Sequence, residues 1–446
     1  MRARPASPCL CAPRLAPLLA CVALAQGAAA GQVWIVDDDG GPGVDFTDIQ
    51  PAVDASASGD VVLVKGGFYG SFAIDGKGMT VVGESDETVR ADGVWRVANL
   101  PAGQLVVIRG LSTDQAETSA LAAIDCAGSL WIEDCTLTAA PGPLDFGLPS
   151  HHGVRLTHCA DVVIARCSAI GGNGTNVGPF AEPYSGGDGI HAISSNVTVL
   201  DSVLRGGHGA SGPEDDWWSG GWGGNGLWLF DSTAIVSGIE TYGGFGGYGG
   251  VDYDLFTGKN CGDGGNGGNG IRLVDWDVSF AQMAPSILTV RDHFSAPGGG
   301  GGSFCGVPGA VGVHVAVGSL PAHQVLELDH GARSFVVTSP VRGGTNARLT
   351  FSGEPGDVCL ALVGSATAWF DLGLQPAPLV LASTLAVLGP WSLGATGSTI
   401  QVVPVPLQDP TFGGGTLPLQ AVVVEVESGA LTLAPPSALT ILNQSF

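Results

Sequence analysis

The chain has 446 residues, of which 72 are Gly and 45% hydrophobic, with few aromatics. That is enough for two domains with ample core, and the apolar content excludes a disordered acidic chain. The formal net charge of −24 argues against nucleic acid as a partner, because phosphate binding needs clustered cations. It suits an exported soluble protein and is compatible with Ca²⁺ sites.

Residues 1–30 read as an export signal: Arg2, Arg4 and Arg14, an apolar run from Leu15 to Ala25, then Ala28, Ala29 and Ala30 as a small-residue cleavage site. Leu18 to Cys21 has the order of a lipoprotein box, but the apolar stretch before it is too short. Cleavage after residue 30 leaves 14 Lys and Arg against 41 Asp and Glu, and seven Cys. No other segment carries about 18 uninterrupted apolar residues, so no membrane span is expected. The expected location is secreted or at the cell surface.

Next in the chain, Ile49, Ala52, Val53 and Ala55 fall on one helical face. Gly59 and Asp60 then turn the chain into the strand Val61 to Val64. Repeats follow, opening at His152-Gly153, Asp188-Gly189, Asn225-Gly226 and Asn269-Gly270, with an earlier copy near Leu121 to Leu137. Each is a short alternating strand, a corner and a second strand, a unit that buries its apolar face only by stacking on its neighbours. Period-two alternation points Val154, Ile190, Leu227 and Ile271 inward, together with Leu156, Ala192, Leu229 and Leu273. Corner residues Asp125, His158, Asp231 and Asp275 read as turn formers. The Gly-rich runs between repeats read as tight turns and loops on one edge.

The segment Asp45 to Tyr69 resembles the N-terminal cap of the pectate-lyase-like superfamily. That resemblance covers roughly residues 32–300 and implies a right-handed parallel β-helix plugged by a short helix. It leaves activity open, since the superfamily hosts lyases, hydrolases, adhesins and inert spacers. The expected organisation is a signal over 1–30, the β-helix over 31–320, and a C-terminal β-sandwich-like domain over 321–446, packed against the last rung. The fold class is thus all-β.

The first outward row of the repeats reads Arg155, His191, Trp228, Arg272. Aromatic faces stack on sugar rings and Arg pairs with carboxylates, so an extended acidic polysaccharide would suit this row. The loop before the third repeat adds His208, Glu214, Asp215, Asp216, Trp217, Trp218 and Trp222 as further candidates. Gly207-His208-Gly209, between Asp188 and Asp215-Asp216, is similar to a polygalacturonase-type motif. The order differs, however: that family sets its Asp pair before the Gly-His-Gly, and its downstream Arg-x-Lys element is missing here. Arg166 is expected between Asp134 and Asp201 as a surface ion row.

Cys126 with Cys159 and Cys135 with Cys167 occupy equivalent rung positions, as disulfides or as stacked thiols. Cys261 and Cys305 lie in two Gly-rich loops as a candidate disulfide, leaving Cys359 over. No Cys or His spacing supports a metal site. The leading expectation is a polysaccharide-binding, structural or adhesive protein without catalysis. The alternative is a polysaccharide lyase or glycoside hydrolase acting in the groove above the first sheet.

Overall fold

The computed structural model describes residues 31–84, 87–116, 118–142, 151–175, 183–213, 218–254, 258–274, 286–303, 306–317, 323–328, 333–370, 379–409, 411–426 and 428–446. The expected export signal therefore lies outside the described residues. The chain is all-β and dominated by one large parallel sheet. Each strand pairs in register with the equivalent strand of the next repeat, and three ladders result. The first runs through Phe72–Asp75, Trp95–Ala98, the starts of Leu121–Glu133 and Val154–Ala165, then Ile190–Ile193, Leu227–Phe230, Ile271–Val274 and Val315–Val317. The second runs from Val33–Val36 through Val61–Val64 and Thr80–Gly83 to Gln324–Leu328. The third begins at Gly67–Tyr69 and ends in Ile287–Ala296.

The inward residues expected from alternation are all buried, and one continuous apolar column joins them from Val36 to Val290. The helix Ile49–Ala55 packs Ile49, Ala52 and Val53 into the start of that column, with Asp48 capping the Ile49 N–H; Ala55 is on its exposed side. Two columns of left-handed corners run alongside. Asn99, Asp125, His158, Ser194 and Asp231 form one; Asp134, Arg166 and Asp201 belong to the other. Short polar side chains tolerate that conformation best.

The parallel sheet continues to Leu328, past the expected limit at 320, because Gln324–Leu328 pairs with Ile287–Arg291. After it come a three-stranded antiparallel sheet and a five-stranded, mainly antiparallel one. They share a core that includes Phe335, Leu349, Phe351, Cys359, Ala361, Leu417 and Leu439.

Among the described residues, this C-terminal unit packs against early strands and not the expected last rung. It folds back onto the outer face of the second ladder's early rungs, where Val107, Trp131, Val163 and Leu200 meet Ala438, and Val33, Leu63 and Val82 meet Leu442. Those strands are apolar on both faces, which is why Val61 to Val64 is a continuous rather than an alternating run. Ions lie inside the contact. Arg109 donates to the carbonyls of Ala438 and Val337, both at 2.7 Å. Buried Glu133 accepts from the Ala438 N–H at 2.8 Å and from Arg166 at 2.8 Å. Arg166 also holds Asp134 at 2.7 Å. The expected Arg166–Asp134 pair is present at the half-exposed edge of the contact, and Arg166 also reaches inward to the buried Glu133.

The Gly-rich runs are not loops. From 171 to 313 they form a two-layer array of extended rows with a three-residue period, the period of polyproline II. In each Gly-Gly-X triplet the first Gly N–H bonds the next row of its own layer, as Gly209 does to Phe245 and Gly223 to Asn266. The second Gly N–H bonds the other layer, as in Gly207 to Gly187 and Gly244 to Gly224. Where the preceding row carries a polar X side chain, that side chain takes the outward X N–H: Asn173 for His208, His208 for Phe245, Ser185 for Trp222, Asn266 for Ala310. At Gly244 a Cβ would overlap the carbonyl of Gly207.

Gly244→Ala is expected to cost about 3 kcal/mol or more through this overlap, read as a lowered denaturation midpoint. A second test concerns Asp161, whose carboxyl is buried beside Ser129 at 2.6 Å. Burial pushes it up to about 6, against the lowering effect of the Ser129 hydrogen bond. Between about pH 4 and pH 6 the folded state keeps a proton the unfolded state has lost, so this group's stabilisation disappears as pH rises. Asp161→Asn is expected to be more stable than wild type at pH 7, by up to about 3 kcal/mol. Unfolding curves should show the gap closing towards pH 4.

Candidate functional site

On the first ladder, period-two alternation aims one residue of each strand outward, and parallel pairing stacks those residues about 4.8 Å apart. The resulting column reads Ala73, Arg96, Ala122, Arg155, His191, Trp228, Arg272, Ala316. The four residues expected there are in direct register. Arg96 joins them, an addition that the repeat alignment missed because it begins only near Leu121. Among the described residues, Arg96, Arg155 and Arg272 make no ion pair. Arg109, Arg166, Arg333 and Arg342, in contrast, all bind carboxylates.

A second line runs beside the column through the residue before each repeat's Gly. The Asp188 N–H donates to His152 Nδ1 at 3.0 Å. Asp188 Oδ1 accepts from the Asn225 backbone and side chain, both at 2.8 Å. Asn225 Oδ1 accepts in the same way from Asn269 at 3.0 Å. Asp188 Oδ2 takes His191 Nδ1–H at 2.7 Å, which leaves the His191 Nε2 lone pair free of that contact. Burial would raise the Asp188 carboxyl, but the His191 hydrogen bond leads the effects that hold it below its ordinary value. His152 is pushed down to about 3 by burial, against the pull of Asp188, and is neutral.

The rings form a stack. His191 lies on Trp228 with centroids 3.9 Å apart and planes 7° apart, and on His152 at 4.2 Å and 25°. One face of Trp228 is thus covered by His191. Ligand atoms of His152, Asp188 and His191 come within 4.8 Å of one another. The His152 Nδ1 lone pair is, however, taken by the Asp188 N–H, and an ion between two stacked imidazoles would lie out of both ring planes. These residues fit a hydrogen-bonded relay better than a metal. The other close acidic group, Asp37 to Asp39, caps backbone instead: Asp37 accepts from Asp39 and Asp38 from Phe68.

At the Arg272 end of the column a groove of about 520 Å³ opens between the ladder and the Gly-rich array. Arg272, Ala316, Trp222, Asn266 and Ala310 line it. Trp222 is 55% exposed. Trp218 is half-buried in the array, its carbonyl accepting from Gly250. Glu214, Asp215, Asp216 and Trp217 lie outside the described residues. His208 of the Gly-His-Gly is an array residue whose Nδ1 accepts from Phe245.

Cys126, Cys135, Cys159, Cys167 and Cys359 are free, buried thiols, and Cys126 and Cys159 are direct ladder neighbours. Burial pushes Cys167 well up and Cys359 to about 11. Cys261 is disulfide-bonded, and Cys305 lies outside the described residues.

No family model matches the chain, and no curated protein matches it in sequence.

His152 supplies a pH test of the relay. Its folded-state value near 3 lies below the ordinary 6.5, so the unfolded chain binds a proton that the folded chain refuses. Stability from this group is complete above pH 6.5 and is lost as pH falls towards 3, by about 3–5 kcal/mol. In His152→Gln the acid side of the stability profile is expected to flatten, measured by chemical denaturation from pH 7 to pH 3.

Proposed function

We propose that this chain is an exported right-handed parallel β-helix of the pectate-lyase-like kind. In this reading the helix Ile49–Ala55 closes its N-terminal end, and a β-sandwich follows the solenoid. The protein binds an extended acidic polysaccharide laid along the column Arg96, Arg155, His191, Trp228, Arg272. The observation that carries this reading is charge placement. The chain has 41 acids and only 17 Lys and Arg, and three guanidiniums without carboxylate partners occupy a single outward column. Arg96 and Arg155 are two rungs apart, about 10 Å, and Arg155 and Arg272 three rungs, about 14 Å. A polymer running along the stack can offer a carboxylate to each, and Arg holds carboxylates bidentately. The groove at Arg272 and Trp222 would take one end of such a chain.

Affinity electrophoresis in gels containing polygalacturonate, alginate or a neutral glucan tests this. Retardation by the acidic polymers, weakened by salt, is expected. It should fall at least tenfold in affinity in an Arg96→Ala, Arg155→Ala, Arg272→Ala variant. Equal mobility of the wild type and the triple variant in every gel would leave only the structural or adhesive spacer standing.

One observation favours a second reading, a polysaccharide lyase. Asp188 orients His191 with its Nε2 lone pair available, one rung from Arg155. A base beside a carboxylate-holding Arg is what proton abstraction next to a uronate requires. Hydrolysis has less support, since it needs two carboxyl groups flanking the bond, and Asp188 is occupied by His191 and Asn225. Unsaturated products absorbing in the ultraviolet, abolished in His191→Ala, would establish turnover.

A further inference from the structure

The outer face of one layer of the Gly-rich array carries a periodic set of side chains. That layer is made by the rows after the third ladder, and its X positions are Arg205, His208 and Ser211; Tyr242, Phe245 and Tyr248; and Ala296, Gly299 and Gly302. Polyproline II rises about 3.1 Å per residue, so successive X positions along a row are about 9 Å apart. Phe245 and Tyr248 are 58% and 63% exposed.

Gly299 and Gly302 differ from the array's other glycines. Elsewhere a Cβ would strike a neighbouring backbone carbonyl; at these two it would meet only a ring, Phe245 at 3.0 Å and Tyr248 at 2.6 Å. The missing side chains let both rings lie against the next row. Each ring then rests on hydrogen-bonded backbone with much of its area open to solvent, a costly exposure for an unliganded surface. Polar groups border the rings. The His208 Nδ1 accepts the Phe245 N–H at 2.9 Å, so its neutral tautomer carries the proton on Nε2, an available donor. Arg205 lies over the Tyr242 ring at 4.6 Å, which leaves this patch's cation engaged on an aromatic face.

We infer that Phe245 and Tyr248 form a platform for an uncharged, extended β-linked polysaccharide. In such a chain every second pyranose presents the same apolar face, a repeat that suits two rings about 9 Å apart, while donors at the rim meet hydroxyls. An uncharged polymer is the occupant that a strongly acidic protein with its local cation already engaged can accept without repulsion. The platform belongs to the layer away from the Arg column's groove and does not depend on the acidic-polysaccharide reading.

Full-length protein would be incubated with insoluble cellulose and chitin and the bound fraction measured as an isotherm. Retention on at least one polymer is expected, reduced about tenfold or more in Phe245→Ala with Tyr248→Ala. It should be unchanged in the triple Arg variant. Gly302→Ala keeps both rings but displaces Tyr248, and is expected to weaken retention without changing the unfolding midpoint. Absence of wild-type retention on both polymers, or retention insensitive to the double variant, overturns the proposal. So does size-exclusion evidence of a wild-type dimer that the double variant abolishes, since the occupant would then be a second copy of the chain.

Discussion

Backbone hydrogen bonding from each turn of the chain to the next is the constraint on which the rest of this molecule depends. Every buried N–H and C=O must find a partner, and here it is found in three ways. In the ladders the partner is the equivalent strand of the next rung. In the Gly-rich array it is a carbonyl of the next row or the other layer. At several outward-facing N–H groups with no backbone beyond them, the side chain one row earlier supplies an oxygen or an imidazole nitrogen. The spacing set by the first device places the Arg column, and the third device builds the line from Asp188 to Asn269.

The same accounting explains the fold-back of the C-terminal unit. Covering the second ladder's outer face buries strands that are apolar on both sides, but it also buries Arg109 and Glu133, with Arg166 half-buried at their edge. The incoming chain's own backbone meets Arg109 and Glu133: Ala438 offers its N–H to Glu133 and its C=O to Arg109, and Val337 offers a carbonyl to Arg109. In this register each buried charge faces a backbone group of the right polarity, and a shift by one residue would misalign them. A smaller bond ties the far end, where Gly31 and Gly414 exchange hydrogen bonds.

How much could be read from the residues alone followed from how local the cause was. Alternation and the turn Gly placed Val154, Ile190, Leu227 and Ile271 inward, and put Arg155, His191, Trp228 and Arg272 in one column, because both depend only on period-two geometry. Arg96 was missed because Asp92-Gly93 precedes the strand Trp95–Ala98 with one extra residue, so the outward position falls three after the Gly instead of two as in the later repeats. The His152–Asp188–His191 relay joins groups 36 residues apart whose contact depends on rung register and ring rotamer. The docking site of the C-terminal unit left a readable trace in the unbroken apolar runs near Val61, Val106 and Val162. The array was mistaken for loops because Gly is usually read as conformational freedom. Here Gly supplies the absence of a Cβ, and the informative pattern was the three-residue spacing of Asn, Ser, His and aromatics between glycine pairs.

The array's construction implies a growth rule for the molecule. Outgoing and returning rows run antiparallel and are bonded at every third residue, as Gly244–Gly224 and Gly247–Gly221 show. A row can therefore be lengthened only by a whole triplet, and only if its bonded neighbours gain a triplet at the matching place. Variation in length is quantised and shared among rows, whereas variation in character is free at X alone. Such a surface can change what it presents, one column at a time, while the scaffold beneath it stays the same.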